Sequence, residues 1–206
     1  MSHGRSPTDG GGQLITLEGL DGSGKSTVIE GLQRRHPEWQ YTCEPTMSWY
    51  GDAVRRSIAS DGADPIAELF LFIADHAEHL HTTIRPGLEA GEVIISDRYI
   101  DSRIAYQAVT LAETIDAPAA FIAQIHEPFT IMPDLTIFLD IDPETAVRRS
   151  GTTNKFEQMA HLRDVSRAYE GLIEDAPDRF VRIDATSPPT DVLDAVERAV
   201  KSVLYR

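Results

Sequence analysis

The sequence lacks the features that define disulfide-bonded, secreted and membrane-spanning proteins. Cys43 is its one cysteine, so no disulfide can form within the chain. No run of apolar residues approaches the roughly 20 that a membrane-spanning helix needs. Residues 1–12 are polar and glycine-rich, without the apolar stretch of a signal peptide or anchor. We therefore expect residues 1–12 to be a disordered tail and the protein to be soluble and cytoplasmic, with no membrane partner.

Positive charge is also scarce. The chain has 33 Asp and Glu against 19 Lys and Arg, a net charge of −14, and its lysines are Lys25, Lys155 and Lys201. Because no basic cluster offsets this charge, we expect no nucleic-acid partner. An acidic surface with few lysines suits a very salty cell interior, where counter-ions screen the self-repulsion. We therefore expect a salt-adapted protein.

Alternating strand and helix patterns predict a single α/β domain over residues 13–206. The length suffices for one domain with a substantial core, and no composition break indicates two. Apolar, β-prone segments predict five strands, at 14–18, 40–44, 93–97, 135–140 and 180–184. Helical spacing predicts helices at 26–36, 52–60, 65–84, from 98 onward, 118–127, 143–150, from the mid-150s to 175, and 189–204. This alternation predicts a doubly wound parallel sheet with helices on both faces.

The segment LEGLDGSGKST, residues 17–27, carries the phosphate-binding loop pattern G-x-x-x-x-G-K-S between a predicted strand and a predicted helix. Its glycines let backbone N–H groups surround a phosphate, and the helix N-terminus adds partial positive charge. Lys25 is expected to bridge the terminal phosphates and Ser26 to ligate Mg²⁺. The pattern predicts a nucleoside triphosphate site formed by Gly19, Leu20, Asp21, Gly22, Ser23, Gly24, Lys25, Ser26 and Thr27.

A second segment, DRYIDSRIAYQ at 97–107, follows a predicted central strand. Open α/β sheets bind their ligands at the carboxyl ends of such strands. Asp97 is a candidate for orienting the attacking oxygen or holding the water shell of Mg²⁺, and Arg98 for clamping a phosphate. The residues alone leave one alternative open, an ordinary helix start with an Asp cap and a solvated Arg.

Two further signals are weaker. On the predicted helix 65–84, Phe72 offers a stacking face and His76, one turn on, is in reach of a base edge, although core packing is the alternative for both. The segment AVRRSGTTNKFE, residues 146–157, places an arginine pair and Lys155 around a small polar loop. It resembles a short lid that brings cations over a phosphoryl group, and a solvated helix is its alternative.

In order and spacing, these segments resemble the thymidylate kinase family of P-loop nucleoside monophosphate kinases. The resemblance runs from about residue 14 to 204 and rests on LEGLDGSGKST, Glu44-Pro45-Thr46, LFLFIADH, IRPGLEAGEVIISDRY, DSRIAYQ, PDLTIFLDIDPETAVRR and RIDAT. It implies a P-loop NTPase fold with a five-stranded parallel sheet. It also implies phosphoryl transfer from ATP to dTMP with Mg²⁺, giving dTDP, and a homodimer.

The resemblance implies roles for individual residues as well. Asp21 would lie near the acceptor sugar and the metal, which makes Asp21 and Ser26 the metal candidates. For the acceptor, Arg55 and Arg98 would hold the phosphate and Phe72 would stack on thymine. Tyr106 would lie against the sugar and disfavour a ribose 2′-hydroxyl. Glu44, His76 and Gln107 would make polar contacts.

The chain departs from the family pattern at two informative positions. His76 stands where the family usually has an arginine, so a shorter imidazole replaces the donor to the pyrimidine carbonyl. Ser23 stands where one subgroup has an arginine in the loop. The transition-state cation is therefore expected from the lid, as Arg149 or Lys155, with Arg148 as the next candidate. The expected catalytic set is Lys25, Asp97, Arg149 and Lys155.

Three other functions stay open at this point. His76 favours a kinase for another nucleoside monophosphate. NKFE at 154–157 is similar to the guanine-binding N-K-x-D pattern of GTP-dependent switch proteins, although the segment Asp97–Ile100 lacks the glycine of the switch D-x-x-G. A catalytically idle nucleotide-binding relative is the third, and the intact Lys25, Ser26, Asp97 and Arg98 disfavour it.

Overall fold

One all-parallel sheet forms the centre of the protein. The computed structural model describes residues 11–60, 62–150 and 155–204, with the backbone alone described at 150 and 155–158. Over these ranges five strands are hydrogen-bonded in the order β2-β3-β1-β4-β5. Their bounds are β1 Gln13–Glu18, β2 Gln40–Cys43, β3 Val93–Asp97, β4 Leu135–Asp140 and β5 Phe180–Asp184. The predicted α/β class and five-stranded parallel sheet are confirmed.

Helices cover both faces of this sheet. Their bounds in the described residues are α1 Lys25–Arg35, α2 Trp49–Ile58, α3 Pro65–His79, α4 Arg85–Glu89, α5 Ile100–Thr110, α6 Pro118–His126, α7 Pro143–Ser150, α8 Lys155–Asp175 and α9 Pro189–Leu204. A π-helical turn, Leu80–Ile84, joins α3 to α4. None of these helices has both the length and the apolar character required to cross a bilayer.

Side-chain alternation along the strands fills two hydrophobic cores. Leu14 and Ile94 point into one core, which is completed by apolar side chains of α3, α4, α5 and α6. Ile15 and Ile95, one residue on, point into the other, which is completed by side chains of α1, α8 and α9. Since both faces are buried, the central strands read as continuous apolar runs.

Parallel register decides which loops meet. Leu17 of β1 pairs with Asp97 of β3, and on its other side with Ile137 of β4. The loops that follow β1 and β3 therefore leave the same edge of the sheet side by side. This edge, where ligands bind in open α/β sheets, carries the phosphate-binding loop and Arg98 together.

Several predicted boundaries differ from the structure, and three of the differences have a clear local cause. Helix α2 begins at Trp49 rather than 52, because the Ser48 hydroxyl accepts hydrogen bonds from the N–H groups of Tyr50 and Gly51. Helix 65–84 is regular only to His79, and the π-helical turn precedes Pro86, which lacks the N–H that a regular helix needs. Helix α5 begins at Ile100 because Arg98 has φ of +66°.

The N-terminal segment is described from residue 11. Residues 1–10 of the predicted tail lie outside the described residues. Gly12 is buried, and a Cβ atom on it would lie 2.5 Å from the carbonyl oxygen of Leu88. Gly12 therefore packs closely against α4 immediately before β1 begins.

Candidate active site

The phosphate-binding loop turns sharply between β1 and α1. Gly24, the residue before α1, has φ of +94°, and Gly22 has φ of +89°. A Cβ atom on Gly22 would lie 2.5 Å from the carbonyl oxygen of Ala146 in α7. Both positions therefore require glycine for the backbone conformation, and Gly22 is also required for close packing against α7.

Lys25 folds back over this loop. Its Nζ donates to the carbonyl oxygens of Gly19 at 3.1 Å and Leu20 at 3.0 Å, and the side chain is almost completely buried. Burial, and then the nearby Arg98 charge, lower the pKa of Lys25 to about 8. The loop thus holds a partly desolvated ammonium group where an anion would stabilise its charge.

A large open cavity of about 840 Å³ lies over the loop. Its lining includes the loop residues Asp21 to Val28, with Asp97, Arg98, Arg55 and Arg149. Of the predicted triphosphate-binding set, Gly19 and Leu20 do not line the cavity, and their carbonyl oxygens accept from Lys25. The other members line the cavity, which is large enough for a nucleotide.

A second cavity, of about 340 Å³, opens beside the first. Phe72, Tyr106 and Gln107, three of the predicted acceptor residues, line it together. Asp21, Glu44, Pro45 and Arg98 line both cavities. A group transferred from one bound molecule to another would pass between these shared residues.

Arg98 is held at this junction by contacts from several elements. Its Nη2 donates to Oδ1 of Asp21 at 2.6 Å, and its Nη1 donates to Oγ of Ser102 at 2.7 Å. The guanidinium carbon lies 4.9 Å from the ring centroid of Tyr106, whose hydroxyl accepts from the N–H of Asp21 at 3.2 Å. The side chain is therefore positioned before any ligand binds.

Two more predicted residues lie on the larger cavity. Asp97 ends β3, and burial raises the pKa of its carboxyl group, although Lys25 and Arg98 oppose the shift. Arg55 of α2 donates from Nη1 to the carbonyl oxygens of Pro45 and Thr46, at 3.2 and 2.7 Å. Both side chains thus line the larger cavity together with the loop.

The expectation that His76 contacts a base needs correction. Its side chain is fully buried and lines neither cavity. Nδ1 lies 2.8 Å from Oε1 of Glu44, and Nε2 lies 3.1 Å from Oγ1 of Thr130. The imidazole is one turn from Phe72 but points behind Glu44, so that it supports the cavity wall from outside.

The lid candidates differ in position. Arg149 lines the larger cavity and donates to the carbonyl oxygen of Ala185 at 3.0 Å. Arg148 instead donates to Oγ1 of Thr145 and does not line this cavity, although both arginines are exposed. Residues 151–154 and the Lys155 side chain lie outside the described residues. Among the described candidates, Arg149 is therefore the cation on the cavity.

Sequence reasoning missed three parts of the site. The segment after β5 supplies Ala185, Ser187 and Pro189 to the larger cavity, which its position after a parallel strand could have indicated. Arg103 lines the smaller cavity. Glu18, fully buried under the loop, accepts from Tyr99 N–H at 2.8 Å and from the Ser102 and Tyr169 hydroxyls.

The fold and site define a class. A phosphate-binding loop at the carboxyl edge of a parallel sheet, joined through shared arginine and carboxylate groups to an aromatic-walled second cavity, is the arrangement of a nucleoside monophosphate kinase, a phosphotransferase. The sequence model of the family described as thymidylate kinase matches residues 17–196. The chain belongs to the thymidylate kinase family, and the resemblance drawn from its motifs is confirmed.

Curated relatives agree with this assignment. A probable thymidylate kinase of Halorubrum lacusprofundi is 56% identical over 194 residues, which cover 93% of this chain and 98% of the relative. The probable thymidylate kinase of Halobacterium salinarum is 54% identical over 192 residues, 93% and 96% of the two chains. The probable thymidylate kinase of Natronomonas pharaonis is 53% identical over 195 residues, which cover 94% of this chain and 100% of the relative. These relatives come from halophilic archaea.

Proposed function

We propose that this chain is a thymidylate kinase, which transfers the γ-phosphoryl group of ATP to dTMP and forms ADP and dTDP with Mg²⁺. The observation that carries the proposal is the pair of joined cavities with Asp21 and Arg98 at their junction. ATP phosphates on the loop and the dTMP phosphate at Arg98 would face each other there. Positioning of this kind supplies most of the catalysis in phosphoryl transfer.

The chain's own residues supply cations around the reacting group. Lys25 would hold the terminal phosphates of ATP, while Arg98 and Arg55 would hold the acceptor phosphate. Arg149 faces the same space from α7 and is our candidate for the cation that balances charge on the transferring group. Asp97 would orient the attacking oxygen of the acceptor phosphate through a bridging water, or hold the water shell of Mg²⁺.

Magnesium fits the residues present. No cluster of three His, Cys, Asp or Glu ligands occurs in the described part of the chain. The Ser26 hydroxyl and the Asp21 and Asp97 carboxylates line the larger cavity beside Lys25. Magnesium prefers such hard oxygen donors, keeps several waters and binds together with substrate phosphates. When bound, the ion neutralises charge on the phosphate oxygens.

In the acceptor cavity, Phe72 would stack on thymine and Gln107 would contact its polar groups. Tyr106 would lie against the sugar and disfavour a 2′-hydroxyl. The switch-protein alternative has less support, because Lys155 begins helix α8 and does not follow a strand. A homodimer remains a prediction that rests on the family resemblance. A cytoplasmic location remains a prediction that rests on the single cysteine and the lack of a long apolar run.

A coupled ADP-release assay tests the proposal. The purified protein would be compared with dTMP, dUMP, dCMP, dGMP and AMP as acceptors in molar KCl, each with ATP and Mg²⁺. We expect the highest kcat/KM with dTMP and no ADP release without an acceptor. Equal turnover of all acceptors would overturn the assignment to dTMP, and GTP hydrolysis without an acceptor would revive the switch alternative.

A further inference from the structure

Arg103 is a buried cation in the wall of the smaller cavity. It lies on α5, its side chain is 2% exposed, and its guanidinium carbon is 5.1 Å from the ring centroid of Phe72. Arginine remains protonated in proteins and has five N–H donors and no acceptor. The wall beside the aromatic ring therefore presents only hydrogen-bond donors at this point.

Part of this donor capacity is unused. Nη1 donates to the carbonyl oxygen of Phe72 and Nη2 to Oε2 of Glu44. Nε is buried and has no hydrogen-bond partner among the described residues. Nε itself has almost no accessible surface, but Nη1 and Nη2 each carry a second N–H, so an acceptor brought to the cavity side of this guanidinium would meet donors only.

Glu44 holds the guanidinium in place, and both of its carboxylate oxygens have donor partners. Its Oε1 lies 2.8 Å from Nδ1 of both His76 and His79, and its Oε2 is paired with Arg103. Burial opposes the charged form, yet His76 and Arg103 hold the pKa of Glu44 well below its usual range. Both oxygens of Glu44 thus already have donor partners, and Arg103 is the cation in the wall beside Phe72.

The position of Arg103 indicates which edge of a bound nucleotide it meets. Arg98, at the junction of the cavities, would hold the phosphate, whereas Arg103 lines the smaller cavity and not the larger. With its phosphate held at Arg98, a base stacked on Phe72 would turn the edge far from its sugar toward Arg103. In thymine and uracil that edge carries the carbonyl oxygen at position 4, and in cytosine an amino group.

We propose that Arg103 determines base specificity by donating to the carbonyl oxygen at position 4 of the acceptor pyrimidine, the role that the sequence indicated for His76. This inference rests on the proposed function. Cytosine would place its amino donors against a guanidinium that cannot accept, so it would be rejected. Gln107, whose amide can both donate and accept, has no such preference.

The test is a coupling measurement on the full-length protein. Wild type and Arg103→Gln would be assayed with dUMP and with the monophosphate of 2-pyrimidinone 2′-deoxyriboside, which lacks the oxygen at position 4 and also the proton on N3. Because both proteins meet the same loss of the proton, the difference between their losses reports on the oxygen. We expect loss of the oxygen to lower kcat/KM of wild type by about 100-fold and that of Arg103→Gln by less than about 5-fold. The preference for dTMP over dCMP should fall by a similar factor, and Arg103→Lys should retain part of it.

If Arg103 had a purely structural role, the kinetic comparison would give a different result. The variant would then lose the same factor with both pyrimidines, and this parallel loss would overturn the proposal. Should Arg103→Gln fail to fold, as judged by thermal unfolding, the wild-type comparison decides alone, because equal kcat/KM for the two nucleotides overturns the contact. Absence of dTMP phosphorylation by wild type would instead contradict the proposed function.

Discussion

The guanidinium of Arg98 forms an ion pair with Asp21, with Nη2 2.6 Å from Oδ1, across 77 positions of sequence. Asp21 belongs to the loop after β1 and Arg98 follows β3, and these two strands are neighbours in the sheet. The contact therefore joins the half of the site that would bind ATP to the half that would bind the acceptor.

Asp21→Ala should reduce kcat because it frees Arg98 from its position at the junction. Small displacements of a positioning group cost up to about 100-fold, so we expect a decrease of about 10- to 100-fold with dTMP. Asp21→Asn keeps an oxygen for Arg98 and should retain most of the activity. Steady-state kinetics measures both variants. If both lose the same factor in kcat, the negative charge of Asp21 is what matters and not its hydrogen bond to Arg98.

Arg149 and the adjacent Arg148 offer a matched comparison. Arg149→Ala removes the cation on the larger cavity and should lower kcat by about 100-fold or more, as loss of one preorganised donor does in other enzymes. Arg148→Ala removes an exposed cation bonded to Thr145 and should stay within about threefold of wild type. The reverse order of effects would show that Arg148 is the lid cation.

Lys25 should couple ATP binding to proton uptake. Its pKa is lowered to about 8 by burial and by Arg98, and bound phosphates would favour the ammonium form. Above pH 8 the free protein must gain a proton to bind ATP, so affinity should fall up to about tenfold per pH unit. Calorimetry at pH 8.5 in buffers of different ionisation enthalpy measures this uptake. Lys25→Arg, which stays protonated, should not show it.

Glu18 should make stability depend on pH near neutrality. Burial, and then the Asp101 charge, raise its pKa from 4.5 to about 7, so between these values the folded state binds more protons than the unfolded state. Its contribution to stability is complete below pH 4.5 and is lost as pH rises through 7, by at most about 1.4 kcal/mol per unit. Urea unfolding between pH 5 and 8 should show a smaller decline in Glu18→Gln. An identical slope in both proteins would contradict this assignment.

The acidic composition predicts stabilisation by salt. Self-repulsion of a net charge of −14 is screened as ionic strength rises, so the unfolding free energy should increase from dilute buffer to molar KCl. Thermal unfolding across a KCl series measures the effect. Equal stability and activity at both ends of the series would exclude salt adaptation.

Local patterns were sufficient for much of this protein. The order of strands and helices could be predicted because buried parallel strands have continuous apolar runs and helices have apolar spacing near 3.6 residues. The phosphate-binding loop could be located because its glycines, Lys25 and Ser26 act within eight consecutive residues. Tyr106 and Gln107 line the same cavity as Arg98 because they follow it along one helix, and their contacts with an acceptor stay predictions.

Side-chain direction between distant elements required the tertiary structure. From sequence, His76 was the residue expected at the base edge. Packing against Thr130 and Glu44 turns its imidazole away, and Arg103, from another helix, takes the wall of the cavity instead. Packing likewise decides that Arg149 and not Arg148 lines the larger cavity, and that Glu18 is buried. Sequence thus determined the fold and the phosphate site, whereas packing decided which side chains face the acceptor, because periodicity gives a residue's face and not its neighbours.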